Sequence, residues 1–328
     1  MKKIAIIGAG SWGSALAIYL AKQGHEVKLW SYNDDERDLI NNKRECVFLP
    51  GVEIPEGVWA SENFEKVLDG AEIILHVTPS KFVRSTMDQY KDLVKDNQYV
   101  VMCSKGFEPV TGKTLDEVME EELPGKKIGI LTGPSHAEEV SRNIPTLLVC
   151  GSKYDDLKDR IVDAFQSPLM RIYTTEDVKG VELGGALKNI IAFCAGISVG
   201  LNLGDNTFAA LATRGLVEIA RLGVAMGGEE KTFYGLSGLG DLIVTCSSEH
   251  SRNRRAGKMI GQGHTIEEAR KEIGMVIESV DNIDVAHELA RKYNVEMPIV
   301  DCVFDVLYNG LDPREAVNIL MTRKPREE

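Results

Sequence analysis

The sequence has few cysteines and none close together. Cys46, Cys103, Cys150, Cys194, Cys246 and Cys302 lie 44 to 57 residues apart, with no C-x-x-C pair. That spacing excludes a disulfide framework or a structural zinc site. Most of the six sit in apolar runs such as Val100-Val101-Met102-Cys103, so reduced thiols in a cytoplasmic protein are expected. No apolar run reaches the roughly 18 residues of a membrane span. Met1-Lys2-Lys3 followed by apolar residues resembles the start of a signal peptide, but the run is short and Gly8, Gly10 and Gly13 would break its helix. Positive charge is scarce as well: 38 Lys and Arg stand against 50 Asp and Glu, a net charge of −12. Nucleic acid or an anionic membrane would need a basic face, so neither is an expected partner. An anionic substrate must then be met by a local cluster of cations. The chain also lacks a Gly/Ser/Pro-rich linker, internal repeats and low-complexity segments.

A length of 328 residues, 43% of them hydrophobic, suits two packed domains. In the first half, short β-branched runs recur at 4–7, 27–30, 73–77, 99–103, 128–131, 147–150 and 170–173. Helical patterns separate most of them, for example 80–94 and 153–165. This alternation predicts right-handed βαβ crossovers and a mostly parallel, doubly wound α/β sheet. After about residue 177 the strand signal stops. Helical periodicity follows near 178–200, 207–226, 265–273, 281–293, 301–309 and 313–322, with a capping box at Thr265-x-x-Glu268 and an Asp312-Pro313 helix start. The expected organisation is a dinucleotide-binding domain over 1–180 and an all-α domain over 181–328, ending in a solvated tail, 323–328.

Gly8-Ala9-Gly10-Ser11-Trp12-Gly13 follows one predicted strand directly and opens a helix that leads into a second strand. A lone G-x-G-x-x-G is weak evidence and also occurs as an incidental turn. Set in strand–loop–helix–strand, it marks a dinucleotide site. Gly8 permits the tight turn, Gly10 lets backbone approach a pyrophosphate, Gly13 allows close helix packing, and the positive helix end faces the phosphates. The second strand ends Leu29-Trp30-Ser31-Tyr32-Asn33, without the acid that usually holds a ribose 2′-hydroxyl. NADP is thereby permitted, yet Asp34, Asp35 and Glu36 follow and only Arg37 offers positive charge. Both NAD and NADP remain open as cofactor.

In the second half, residues 181–196 are apolar nearly all round and read as a helix buried between domains, with Lys188 its one cation. A buried ammonium is desolvated and becomes a usable general base; a lysine snorkelling from the helix edge is the alternative. Gly235-Leu-Ser-Gly-Leu-Gly-Asp241 sets three glycines before a carboxylate that either caps the next helix or takes part in chemistry. Ser251-Arg252-Asn253-Arg254-Arg255, with Lys258, concentrates positive charge. It is either a solvated face or the seat of a phosphate. Lys105 in Ser104-Lys105-Gly106, and Ser135 in Gly133-Pro134-Ser135-His136-Ala137, each follow a predicted strand at the sheet edge where ligands bind. His136 reads as a loop residue rather than a general acid.

Taken together, GAGSWGSALA (8–17), SKG (104–106), GPSHAEEV (133–140), LKNIIA (187–192), GLGDLIVTC (238–246), SRN (251–253) and GMVIES (274–279) closely resemble the bacterial-type NAD(P)-dependent glycerol-3-phosphate dehydrogenases, nearly end to end. The resemblance implies interconversion of glycerol 3-phosphate and dihydroxyacetone phosphate for phospholipid synthesis by a two-domain, cytoplasmic homodimer. It implies cofactor contacts from Ser11, Trp12, Tyr32, Lys105, Ala137, Arg252, Val276 and Glu278. Substrate contacts would come from Lys105, Gly133, Ser135, Lys188, Asn189, Asp241, Ser251, Arg252 and Asn253. Lys188 would be the proton acceptor, supported by Lys105 and oriented by Asp241, with the substrate phosphate on Arg252 and Asn253 and no metal required. Another 2-hydroxy-acid or sugar-phosphate dehydrogenase of the same layout is the rival reading. A dinucleotide-sensing regulator is the non-enzymatic one.

Overall fold

The computed structural model describes residues 1–324, and the chain divides into two compact units, Met1–Glu182 and Leu183 onward. The end of the expected tail, 325–328, lies outside the described residues.

The first unit carries eight strands: β1 Lys3–Ile7, β2 Glu26–Trp30, β3 Val58–Ser61, β4 Ile73–His76, β5 Tyr99–Met102, β6 Lys127–Thr132, β7 Thr146–Gly151 and β8 Met170–Thr175. They form one sheet in the order β3-β2-β1-β4-β5-β6-β7-β8, and only the β6–β7 pairing is antiparallel. Its helices are α1 Ser11–Lys22, α2 Asp34–Asp38, α3 Phe64–Leu68, α4 Val83–Met87, α5 Leu115–Glu122, α6 Ala137–Val140 and α7 Asp155–Phe165. Strand β4 is buried along its whole length, as a strand covered on both faces must be. The order reverses between β1 and β4, and open α/β sheets bind ligands at such a switch point.

Helix α8, Val178–Gly200, carries the chain into the second unit. There follow α9 Gly204–Ala225, α10 Glu230–Phe233, α11 Asp241–Ser247, α12 Arg252–Gly261, α13 Ile266–Ile273, α14 Glu278–Lys292, α15 Pro298–Tyr308 and α16 Pro313–Met321. By length and composition α8 could cross a membrane, the one such helix among the described residues, but 89% of its apolar window is buried inside the protein.

The mostly parallel sheet and the helical second half match the sequence pattern. So do the Thr265–Glu268 capping box and the Asp312 cap of α16. Three details differ. Strand β3 was not expected: it is four residues long, follows Pro55-Glu56-Gly57, and exposes Trp59. The 80–94 helix is broken into two 3₁₀ turns flanking α4. Between them Tyr90 is drawn into the core, where its hydroxyl meets His76 Nδ1 at 2.8 Å. Helices α2, α3, α5, α6, α10 and α12 add to those named from the sequence.

Two buried glutamates cap helices remote from them in sequence. Glu182 accepts from the N–H groups of Leu115 and Asp116 at the start of α5. Glu218, on α9, accepts from Ile299 (2.9 Å) and Val300 (3.3 Å) at the start of α15. Burial pushes the Glu218 carboxyl from 4.5 up to about 8, against the two N–H groups that favour its ionised form. A group raised on folding contributes stability that is full below its unfolded value and is lost as pH rises through its folded one. The Glu218 contribution is therefore present at pH 4.5 and gone by about pH 8. Denaturant titrations across that window should show the parent losing up to about 1.4 kcal/mol per pH unit relative to Glu218→Gln. Parallel curves for the two proteins would remove this assignment.

Candidate active site

The loop after β1 is shaped by close backbone approach. Gly8 sits at φ +119°, and a Cβ there would stand 3.1 Å from the Val77 carbonyl, across the switch point. A Cβ on Gly13 would stand 1.9 Å from the Gly8 carbonyl oxygen, which no side chain tolerates. A Cβ on Gly10, by contrast, meets nothing within 4 Å, so the loop is open on the side where a ligand would lie. Gly8 N–H donates to the Trp30 carbonyl (3.1 Å), tying the loop to β2, and Ser14 Oγ donates to Ala9 (3.0 Å). No side chain caps the N-terminus of α1, which begins at Ser11 and Trp12, both half-buried. An open glycine cradle at an uncapped helix start fits a dinucleotide pyrophosphate.

Strands β1, β4, β5 and β6 run parallel, so the loops that follow them share one sheet edge. Lys105, after β5, donates from Nζ to the Gly133 carbonyl (3.2 Å), after β6, and Ser135 Oγ donates to the same oxygen (2.9 Å). Gly133 sits at φ +143°, and a Cβ there would meet the Leu147 carbonyl oxygen at 3.0 Å, so both its backbone angle and its surroundings select glycine. Ala137 is buried at the start of α6, where His136 is the N-cap residue. Tyr32 is 77% exposed beyond the end of β2, its ring 6.4 Å from that of Trp30.

In the second unit, Lys188 projects from α8 and is only 5% exposed, so it does not snorkel. Its Nζ donates to Asp241 Oδ1 (2.9 Å) and to Thr245 Oγ1 (2.5 Å), and Thr245 Oγ1 donates in turn to the Asp241 carbonyl (2.6 Å). Asp241 is the first residue of α11 and is 1% exposed; its carboxylate goes to Lys188, and no side chain caps that helix. The glycines before it are steric. A Cβ on Gly238 would fall 2.0 Å from the Phe233 carbonyl, and one on Gly184 of α8 would fall 2.8 Å from the Ser237 carbonyl. They let the wide turn over Leu236–Gly240 deliver Asp241 onto α8. Burial disfavours the ammonium of Lys188, while the Asp241 carboxylate stabilises it.

Glycines also set α12 against α8. A Cβ on Gly196 would lie 2.0 Å from the Arg254 carbonyl, and one on Gly257 would lie 1.9 Å from the Phe193 carbonyl. At that separation Asn253 Nδ2 donates to Asn189 Oδ1 (3.0 Å) and Asn253 Oδ1 accepts from Ser279 N–H (3.0 Å), so one side chain joins α8, α12 and α14. Ser251 caps α12 by accepting from Arg254 N–H (3.2 Å), and Arg252 is its half-buried first residue. Of the basic run, Arg254 turns inward to Glu249 (2.5 Å). Val276 is half-buried; Glu278 opens α14 and accepts from Asn282 through its carboxylate (3.0 Å) and carbonyl (2.6 Å). Among the described residues, no three His, Cys, Asp or Glu side chains are grouped as a metal site. Thr245 was missed on sequence; its position four residues after Asp241, one helical turn, was the signal available.

The chain matches two family models in succession. The NAD-dependent glycerol-3-phosphate dehydrogenase N-terminus matches over residues 3–158 and the C-terminus of the same family over 177–318. A Fusobacterium nucleatum protein named glycerol-3-phosphate dehydrogenase [NAD(P)+] is 49% identical over all of this chain and 99% of its own length. A crystal structure of glycerol-3-phosphate dehydrogenase from Coxiella burnetii is 39% identical, covers 98% of this chain and 99% of its own, and superposes with a TM-score of 0.95. That from Saccharomyces cerevisiae is 26% identical, covers 97% and 99%, and has a TM-score of 0.83. This chain belongs to the NAD-dependent glycerol-3-phosphate dehydrogenase family.

Proposed function

We propose that the chain interconverts sn-glycerol 3-phosphate and dihydroxyacetone phosphate as a nicotinamide-dependent oxidoreductase. The observation that carries this reading is the buried triad of Lys188, Asp241 and Thr245, within a chain similar over its whole length to dehydrogenases of that name. When bound, a nicotinamide dinucleotide supplies the hydride donor for ketone reduction and the hydride acceptor for the reverse. Gly8, Gly10, Ser11, Trp12 and Gly13 hold its phosphates, with Tyr32, Ala137, Val276 and Glu278 as further contacts. In the reductive direction Lys188 starts as an ammonium, held so by Asp241 2.9 Å away, and gives a proton to the C2 oxygen as that carbon becomes an alcohol. Asp241 and Thr245 take two of its three protons as hydrogen bonds and so fix the direction in which Nζ points. In the oxidative direction the amine form of Lys188 accepts the C2 hydroxyl proton. Lys105 steadies negative charge developing on the C2 oxygen, with Gly133 and Ser135 lining its side of the substrate.

The substrate phosphate docks at Arg252 and the capped start of α12, where helix polarity and a guanidinium fork both favour an anion. Asn253 and Asn189, bonded to each other, hold that helix start in register. Arg252→Ala should raise KM for dihydroxyacetone phosphate by roughly tenfold to a hundredfold, the loss of one charged hydrogen bond. An unchanged KM would remove the phosphate from this position.

The same reading makes residues 1–180 the dinucleotide half and 181–328 the substrate half of a cytoplasmic homodimer that supplies glycerol 3-phosphate for phospholipid synthesis. Light scattering of the purified protein tests the dimer. The activity is tested by following the near-ultraviolet absorbance of NADH and NADPH with dihydroxyacetone phosphate. Turnover of a different 2-keto acid or sugar phosphate, with none of dihydroxyacetone phosphate, would favour the rival dehydrogenase.

A further inference from the structure

The end of β2 bears on which dinucleotide is taken. In a βαβ nucleotide site the adenosine ribose lies at the end of the second strand, where an acid accepts from the 2′-hydroxyl or an arginine receives a 2′-phosphate. Arg37 is the first cation after that strand end, and it is already engaged. One Nη donates to the Ser31 carbonyl (2.8 Å); the other meets Glu62 (3.1 Å) and Asp34. Its side chain is 14% exposed, while those of Asp34 and Glu62 are 88% and 72% exposed. Glu62 is held there because its carbonyl accepts from Trp30 Nε1 (2.9 Å) and β3 pairs in parallel with β2. The Asn33 side chain is spent as the cap of α2, accepting from Asp35 and Glu36 N–H. Glu36 is brought back to the strand end, where its carboxylate accepts from the Ser31 hydroxyl (2.6 Å). The acid missing from the strand itself is thus returned to it by α2. Two carboxylates, Asp34 and Glu62, neutralise the guanidinium, and a third, Glu36, sits at the same strand end on Ser31.

We propose that this acidic rim makes the chain selective for the dinucleotide without a 2′-phosphate, with Asp34 and Glu62 as the residues that withhold Arg37 from it. The inference rests on dinucleotide binding at the glycine loop. A 2′-phosphate adds up to two negative charges beside Asp34, Glu36 and Glu62, where Arg37 is already engaged, whereas a free ribose diol finds an acceptor in Glu36.

Equilibrium binding of NADH and of NADPH, read by calorimetry on the intact protein without substrate, tests it. NADH should bind at least roughly tenfold more tightly at low salt, with the gap narrowing as salt screens the exposed carboxylates. Asp34→Asn with Glu62→Gln should shrink the gap by tightening NADPH, because Arg37 is released. Equal or tighter NADPH binding by the parent, or a gap unmoved in the double variant, overturns the inference and leaves the dehydrogenase reading intact. Failure of both dinucleotides to bind would overturn the two together.

Discussion

Lys188→Arg should lower the turnover of dihydroxyacetone phosphate by about 10³-fold, within the range that general acid–base catalysis supplies, while dinucleotide affinity stays near the parent's. Arginine keeps the charge beside Asp241, so the buried carboxylate retains a counter-ion. It cannot deprotonate, however, and therefore cannot pass a proton to the substrate oxygen. Simple truncation confounds two effects. Lys188→Ala leaves Asp241, 1% exposed, without its cation, a change that costs about 3–5 kcal/mol of stability for a buried pair. Arginine is the larger side chain at a buried site, and overpacking costs about 1–3 kcal/mol, so thermal unfolding must be recorded beside the kinetics. A folded Lys188→Arg protein with parent turnover would place the proton donor elsewhere. A purely structural Lys188 would show loss of stability without loss of turnover per folded molecule.

Gly257→Ala should be the most damaging single methyl in the helical unit. The added carbon would lie 1.9 Å from the Phe193 carbonyl oxygen and 3.1 Å from Ile197 N, both backbone atoms of α8 that no rotamer change can move. The contact is reciprocal. Carbons on Gly196, Gly200 and Gly261 would meet the opposing backbone at 2.0, 2.3 and 2.4 Å, so the two helices touch along a glycine seam and cannot yield at one point alone. Stability should fall by about 3 kcal/mol, the upper end for overpacking. The displacement of α12 should also stretch the Asn253–Asn189 bond and carry Arg252 away from its seat. KM for the phosphorylated substrate then rises even in the folded fraction. As a control, Gly57→Ala places its methyl at 3.6 and 3.8 Å from its nearest neighbours and should change neither quantity. Unaltered stability and KM in Gly257→Ala would mean that the seam does not set the position of α12.

The β1–glycine loop–α1–β2 unit was legible in the sequence because all its determinants are local: a strand, three glycines at fixed spacing, an apolar helix and a second strand. Strand β3 was not, since four residues with an exposed Trp59 carry no period a short window can detect. The direction of β7 was equally hidden. Thr146–Gly151 has the composition of a strand whichever way it runs, and the reversal lies in how the 133–145 connection returns. At Lys188 and Asp241 the sequence left pairs of readings open, because burial and partnership are properties of tertiary packing. The 2.9 Å contact is made by residues 53 apart in the chain. The remote caps by Glu182 and Glu218 were invisible for the same reason, since each serves a helix at least 66 residues away.

Hydride transfer to C2 with Lys188 as the proton donor is tested most directly by product mass spectrometry after reduction of dihydroxyacetone phosphate with NADH deuterated at the transferable nicotinamide position. The expected product is glycerol 3-phosphate with one deuterium at C2, formed by the parent and at about 10³-fold lower rate by folded Lys188→Arg. Glycerol 3-phosphate without deuterium, or deuterated product formed by Lys188→Arg at the parent rate, would contradict it.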